Sequence, residues 1–138
     1  MTGLQAMLAI KTGDLPPPPI AELIGFDLVE VDEGRAVFAL DPAERHYNPL
    51  GTVHGGIAAT LLDSAMGCAV HTTVPEDVTY TTLELKVNYV RAITEATGRI
   101  VATGTVLHRG RKVATAEGRL EDEDGRLLAH ATCTCLIT

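Results

Sequence analysis

The chain has 138 residues, 46% of them hydrophobic, with a formal net charge of −7. That length suits one domain with a real core and leaves little room for a second. The acidic balance argues against a nucleic-acid surface, which needs clustered Lys and Arg, so any polyanionic partner must be gripped locally.

In chain order, residues 1–19 read as an N-terminal arm ending in the run Pro16–Pro19, whose fixed φ angles and missing donors favour polyproline II and a stiff spacer. The opening stretch lacks a charged front end and a cleavage site, and no later apolar run approaches a bilayer span. Cys68, Cys133 and Cys135 form no CxxC pair. They read as reduced thiols, and the expected location is the cytoplasm, with no membrane partner.

Residues 20–26 predict a short helix closed by Gly25, 35–40 a strand, and 41–49 a turn-rich connection. From Gly56 to about His71 apolar residues recur at spacings of three and four, which predicts a helix apolar nearly all round. Residues 81–91 alternate like a strand, and 98–110, 111–122 and 125–138 predict three more, with turn signals at Arg109-Gly110 and at 121–125. One strand, one buried helix and four mostly antiparallel strands in a meander make an α+β architecture in which a curved sheet wraps the helix.

Gly55 and Gly56 stand at the helix entrance. First-turn N–H groups have no partners inside a helix, and residues without Cβ let another molecule approach them, so this turn can serve as an oxyanion hole made of main chain. A tight turn into the helix is the plainer use of two glycines. Asp63 interrupts the apolar helix beside Thr60, Ala59, Met66 and Gly67. A buried carboxylate must be hydrogen-bonded, paired or protonated, and the same surroundings suit a general base.

Gly55 and Asp63 are eight residues apart, about 12 Å of helical rise. One reacting carbonyl cannot touch both in one chain, so joint action requires a two-fold dimer with composite sites. Asn48 suits either a turn beside proline or a grip on water or substrate. His54 and His46 are nearby bases, His54 more simply a shaper of the turn. The five histidines show no metal spacing and no serine or cysteine stands in a nucleophile elbow. Arg109, Gly110, Arg111 and Lys112 form a basic turn, ordinarily a solvated one but suited to phosphates.

The run N-P-L-G-T-V-H-G-G (48–56), an aspartate seven residues on, a strand ending VNYVRA (87–92) and the RGRK turn (109–112) together resemble the hotdog-fold acyl-CoA thioesterases of the phenylacetate-degradation (PaaI-like) type, over roughly residues 20–138. The resemblance implies hydrolysis of a small or aromatic acyl-CoA without metal or cofactor, coenzyme A being part of the substrate. It implies a Gly55 N–H on the thioester carbonyl, with Gly56 and His54 beside it. It implies Asp63 of the partner subunit as base or nucleophile, Asn48 holding water or substrate, and a strand hydroxyl, Thr82 or its neighbour Thr81, orienting the water. It also implies a dimer, expected to pair into a homotetramer, with Arg109–Lys112 near the nucleotide phosphates. An enoyl or hydroxyacyl-thioester hydratase using His54 or His46, and a non-catalytic acyl-CoA-binding protein, are the alternatives.

Overall fold

The computed structural model describes residues 1–138. Its elements run α1 (Gly3–Thr12), α2 (Pro19–Ile24), β1 (Phe26–Asp32), β2 (Arg35–Leu40), α3 (Gly55–His71), β3 (Tyr80–Tyr89), β4 (Ile100–Arg109), β5 (Val113–Glu121) and β6 (Leu127–Ile137). The strands form one antiparallel sheet in the order β1-β2-β4-β5-β6-β3. α3 lies along its concave face, with Leu61, Leu62, Ala65, Met66, Ala69 and Val70 fully buried. This is the hotdog-like arrangement of one long helix wrapped by an antiparallel sheet.

The helix sits close because two strands carry no side chain beneath it. Gly104 of β4 pairs with Gly118 of β5. A Cβ on Gly104 would stand 2.2 Å from the Ala65 carbonyl oxygen and 2.5 Å from the Met66 nitrogen, so the strand touches helical backbone.

Three expectations are revised. The segment read as a spacer contains α1, whose capping box joins Thr2 and Gln5 and whose Met7 is buried in the core. Gly3 N–H donates to the Val74 carbonyl (3.1 Å), fixing α1 at the C-terminal end of α3. Pro18 remains extended and Pro19 opens α2, which Gly25 closes at φ +95°. β1 was absent from the sequence reading because a bulge between Leu28 and Glu30 breaks its alternation: Phe26 and Val31, of opposite parity, are both buried. The meander holds only for β4–β6, since β3 pairs with β6 and the chain then crosses to place β4 beside β2. β3 is therefore a sheet edge.

Candidate functional site

A tight loop delivers the chain into α3. The Asn48 side chain organises it: Oδ1 accepts from the N–H of Leu50 (2.9 Å) and Thr52 (3.2 Å), and Nδ2 donates to the Thr52 hydroxyl (3.0 Å). Gly51, at φ +85°, makes the reversal. His54 N–H donates to the His46 carbonyl (2.8 Å) and Val53 N–H to the Ile93 carbonyl (2.8 Å), pinning the helix entrance on both sides.

α3 begins one residue earlier than the periodicity placed it, at Gly55 with His54 as N-cap. The first-turn donors are then distributed unequally. Gly56 N–H is taken by His54 Nδ1 (2.8 Å) and Ile57 N–H by the His54 carbonyl (2.9 Å), while Gly55 N–H has no partner in the chain. The Gly55 carbonyl also accepts the Tyr89 hydroxyl (2.7 Å). The Gly55–Gly56 peptide is thus held at its oxygen by Tyr89 and at its nitrogen by His54, which fixes the direction of the free donor before it. A Cβ on Gly55 would approach the Tyr89 ring to 3.1 Å, so glycine here serves the tyrosine as well as any ligand. A cleft of about 550 Å³ opens over this turn, lined by Thr52, His54, Gly55, Gly56, Tyr89 and Arg91 among others.

Asp63 lies farther along α3, half-buried and outside that cleft. Its Oδ1 accepts the Thr82 hydroxyl at 3.0 Å. Strand alternation on β3 decides between the two threonines: Thr82 faces the helix and Thr81 faces away, exposed. Behind Thr82 stands Cys135 Sγ (3.9 Å), itself 3.9 Å from Cys133 Sγ. Beyond Asp63 the Tyr80 ring packs on Gly67, where a Cβ would meet Cε2 at 3.0 Å. Burial, with the nearby Cys68 and Asp63, pushes the Tyr80 hydroxyl up from its ordinary value, and burial pushes the Cys68 thiol up to about 12, so both stay neutral. The carboxylate therefore has one donor and otherwise small or neutral neighbours.

The remaining candidates fall elsewhere. His46 is buried with both ring nitrogens committed, Nδ1 accepting from Ala43 N–H (3.0 Å) and Nε2 bonding the Ile24 carbonyl (2.8 Å), so it holds the loop and is no free base. The basic turn lies at the C-terminal end of α3: Arg109 Nε donates to Thr73 Oγ1 (3.0 Å) and its Nη1 to the Gly110 carbonyl. Gly110 is fitted against backbone, its absent Cβ 2.5 Å from the Val113 oxygen. Arg111 and Lys112 are exposed. Across a helix of 17 residues, about 25 Å long, this turn and Gly55 of the same chain do not meet. Tyr89 and Arg91 were not singled out by sequence reasoning, although both stand in the VNYVRA run. No group of three or more His, Cys, Asp or Glu side chains is placed to hold a metal ion. No helix is long and apolar enough to cross a membrane.

Residues 50–129, which carry the helix entrance, Asp63 and Thr82, match the thioesterase superfamily. The chain belongs to that superfamily. This thioesterase-superfamily chain is 28% identical over 118 residues to the 1,4-dihydroxy-2-naphthoyl-CoA hydrolase of Listeria monocytogenes, covering 86% of the chain and 94% of the relative. Among solved structures, a phenylacetic acid degradation-related protein from Ralstonia eutropha JMP134 superposes with a TM-score of 0.84 at 28% identity, over 94% of this chain and 98% of that one. A conserved protein of Pseudomonas aeruginosa superposes at 0.83 with 32% identity, over 88% and 95% of the two chains. The superfamily supports hydrolysis of acyl-CoA-like thioesters at the level of class.

Proposed function

We propose that this protein is a cytoplasmic acyl-CoA thioesterase of the PaaI-like type, acting on small or aromatic acyl-CoA at sites built across a dimer. The observation that carries the reading is the division of labour along α3: an unpartnered Gly55 N–H at the entrance, and a hydroxyl-bonded Asp63 carboxylate two turns on, too far to share one carbonyl. The Listeria relative, named for an aromatic acyl-CoA, and the phenylacetate-related structure support the substrate class.

In this mechanism the thioester oxygen accepts the Gly55 N–H of one protomer, where the dipole of α3 favours developing negative charge. Asp63 of the partner takes a proton from water while the water oxygen bonds to the acyl carbon. Thr82 keeps that carboxylate oriented. The tetrahedral intermediate collapses with cleavage of the C–S bond, and the proton held by Asp63 passes to the departing thiolate, giving free acid and coenzyme A. Gly56 and His54 hold the entrance, and Asn48 holds the loop that carries it to the substrate. The edge strand β3 supports the dimer: Leu83 is 58% and Tyr89 57% exposed, an apolar edge that a second copy would cover. Pairing of dimers into a tetramer is part of the proposal. The hydratase alternative needs a histidine beside the acyl chain: His46 has both ring nitrogens engaged with backbone, while His54 spends only Nδ1, on the Gly56 N–H, so an indispensable His54 with no thiol release would favour that alternative.

The test is release of free thiol from short, long and aromatic acyl-CoA by wild type and Asp63→Asn, with Gly55→Pro as the second variant. Proline at the first helical position removes the N–H, and because its Cβ would also press on the Tyr89 ring at 3.1 Å, the variant is read only once it is shown to be a folded dimer. Each variant alone should be nearly inactive. Random re-pairing of the two should restore about a quarter of wild-type activity, because half the dimers then carry one intact site. No thiol release from any ester by a folded dimer defeats the hydrolase reading, and failure to complement defeats the shared site.

A further inference from the structure

Past Asp63, the face of α3 that carries the carboxylate is interrupted by a glycine. Asp63, Gly67 and His71 follow one another at four-residue spacing and so lie along one face. The gap at Gly67 is filled from the sheet. Tyr80, which opens β3, brings the hydroxyl end of its ring over that position, so a Cβ there would stand 3.0 Å from Cε2 and 3.2 Å from the hydroxyl oxygen. The same ring leans on His71, the two centroids 5.4 Å apart and the planes at 43°. Glycine is a poor residue for a helix interior, and here its missing side chain is what lets the tyrosine sit against the helix. Tyr80 is also a wall of an apolar recess of about 280 Å³ that runs under the N-terminal segment, where Met7 and Ile10 of α1, Pro16, Pro18 and Phe38 of β2 line it. Asp63 is not among its walls, so the ring stands between the carboxylate and the recess. A cavity of about 150 Å³ is enough for benzene, so this one would take several methylenes.

We propose that Tyr80 is a specificity-determining residue for the acyl end: seated on Gly67, its ring closes the acyl pocket one helical turn past Asp63, shuts out the recess under α1 and holds the substrate to small acyl groups. The assignment rests on the thioesterase reading above and deepens it by naming the residue that limits the acyl group. Asp63, Gly67, Tyr80 and the recess all belong to the protomer that supplies the carboxylate, so their arrangement is the same however the partner presents its Gly55. An unbranched chain that outgrows the space before the ring must displace it from between Gly67 and His71. With the ring removed, the chain would run on along α3 into the recess.

The experiment measures kcat/KM for butanoyl-CoA and decanoyl-CoA with wild type, Tyr80→Phe, Tyr80→Ala, Tyr80→Leu and the double variant Tyr80→Ala/Ile10→Phe, each first shown to be a folded dimer. The quantity read is the decanoyl-to-butanoyl ratio, in which a general loss of turnover cancels. Wild type and Tyr80→Phe should share a low ratio, because the ring and not its hydroxyl is the barrier. Each methylene moved from water to an apolar wall is worth about 4-fold, so about four of them entering the recess should raise the ratio about 100-fold or more in Tyr80→Ala. Tyr80→Leu should show part of that rise, and it is read alone if the alanine variant does not fold. Ile10→Phe refills the recess from α1 and should bring the ratio back toward wild type. The inference is overturned by an unchanged ratio in folded Tyr80→Ala or Tyr80→Leu, by a wild type that takes both esters equally well, or by a rise that Ile10→Phe leaves intact. Hydrolysis of neither ester by wild type defeats the thioesterase reading instead. The relative affinity for the two esters by calorimetry then still decides Tyr80: a shift toward decanoyl-CoA in Tyr80→Ala sustains the assignment, and an equal preference in both proteins overturns it.

Discussion

Gly104→Ala tests whether the close seat of α3 is what the fold depends on. The new methyl would stand 2.2 Å from the Ala65 oxygen and 2.3 Å from its carbonyl carbon, both backbone atoms held by the helix itself. Ordinary carbon contacts begin near 3.4 Å, so β4 and α3 must separate by about 1 Å along their crossing. Overpacking of this kind typically costs 1–3 kcal/mol, and an obstacle made of backbone belongs at about 3 kcal/mol or above, less the few tenths that alanine recovers by restricting the unfolded chain. At this length that is a fall in Tm of roughly 10 °C.

Gly118→Ala is the internal control. Its methyl would meet Leu62 Cδ2 at 3.0 Å and Met66 Cγ at 3.2 Å, ends of side chains that can turn aside. It should cost about 1 kcal/mol or less. Urea unfolding of both variants, with the slope unchanged, gives the difference directly. Equal losses within about 0.5 kcal/mol, or a Gly104→Ala loss below about 1 kcal/mol, would refute the argument that backbone contact sets the height of the helix.

Thr82→Val removes the donor to Asp63 while keeping the shape, and should lower kcat about 10-fold or more with little change in KM, where Thr81→Val on the outer face should act only on stability; equal kinetic effects at both positions would contradict the assignment. Met7→Ala should cost about 2 kcal/mol by urea unfolding, as a core truncation, and a loss near zero would return α1 to the status of a loose arm. His71 is held below its ordinary value of 6.5 by burial. As pH falls through that value the unfolded chain takes up a proton that the folded one resists, so stability should decline, and His71→Phe should flatten Tm against pH between about 7 and 5.5. Asp122 is held below its ordinary value by the backbone N–H of Arg126, by the Arg126 guanidinium and by the backbone N–H of Asp124. Its contribution is present above about pH 4 and lost below, so Asp122→Asn should lower stability at neutral pH and narrow the gap in acid.

Much of the fold was legible because its largest elements obey one period each. α3 shows the helical spacing of apolar residues, and β4 to β6 alternate between turn signals. β1 was not legible because the bulge after Leu28 reverses its parity midway and its exposed face carries Asp27, Glu30 and Asp32. α1 did carry a signal, the Thr2–Gln5 capping box, outweighed by the prolines that follow. Of the proposed site, Gly55, His54, Asp63 and Thr82 stand out locally as glycine at a helix start, its cap, an acid on an apolar face and a strand hydroxyl. Tyr89 and Arg91 line the cleft only because of what β3 lies beside, namely the entrance of α3 and the 122–128 turn. Sequence spacing carries no record of that adjacency. The basic turn was legible as a charge cluster, but its place at the C-terminal end of α3 was not, since charge clustering says nothing about which end of the helix it occupies.

The double clamp on the Gly55–Gly56 peptide has a thermodynamic consequence. A flexible loop that offers an N–H must be ordered when its ligand arrives, and the entropy of ordering is subtracted from affinity. Here Tyr89 and His54 impose that order during folding, so in the proposed mechanism a carbonyl arriving at Gly55 would meet a dipole already aligned. Negative charge developing on that oxygen would require no reorientation of the protein around it, and the reorganisation energy that water would have to supply is absent from the barrier.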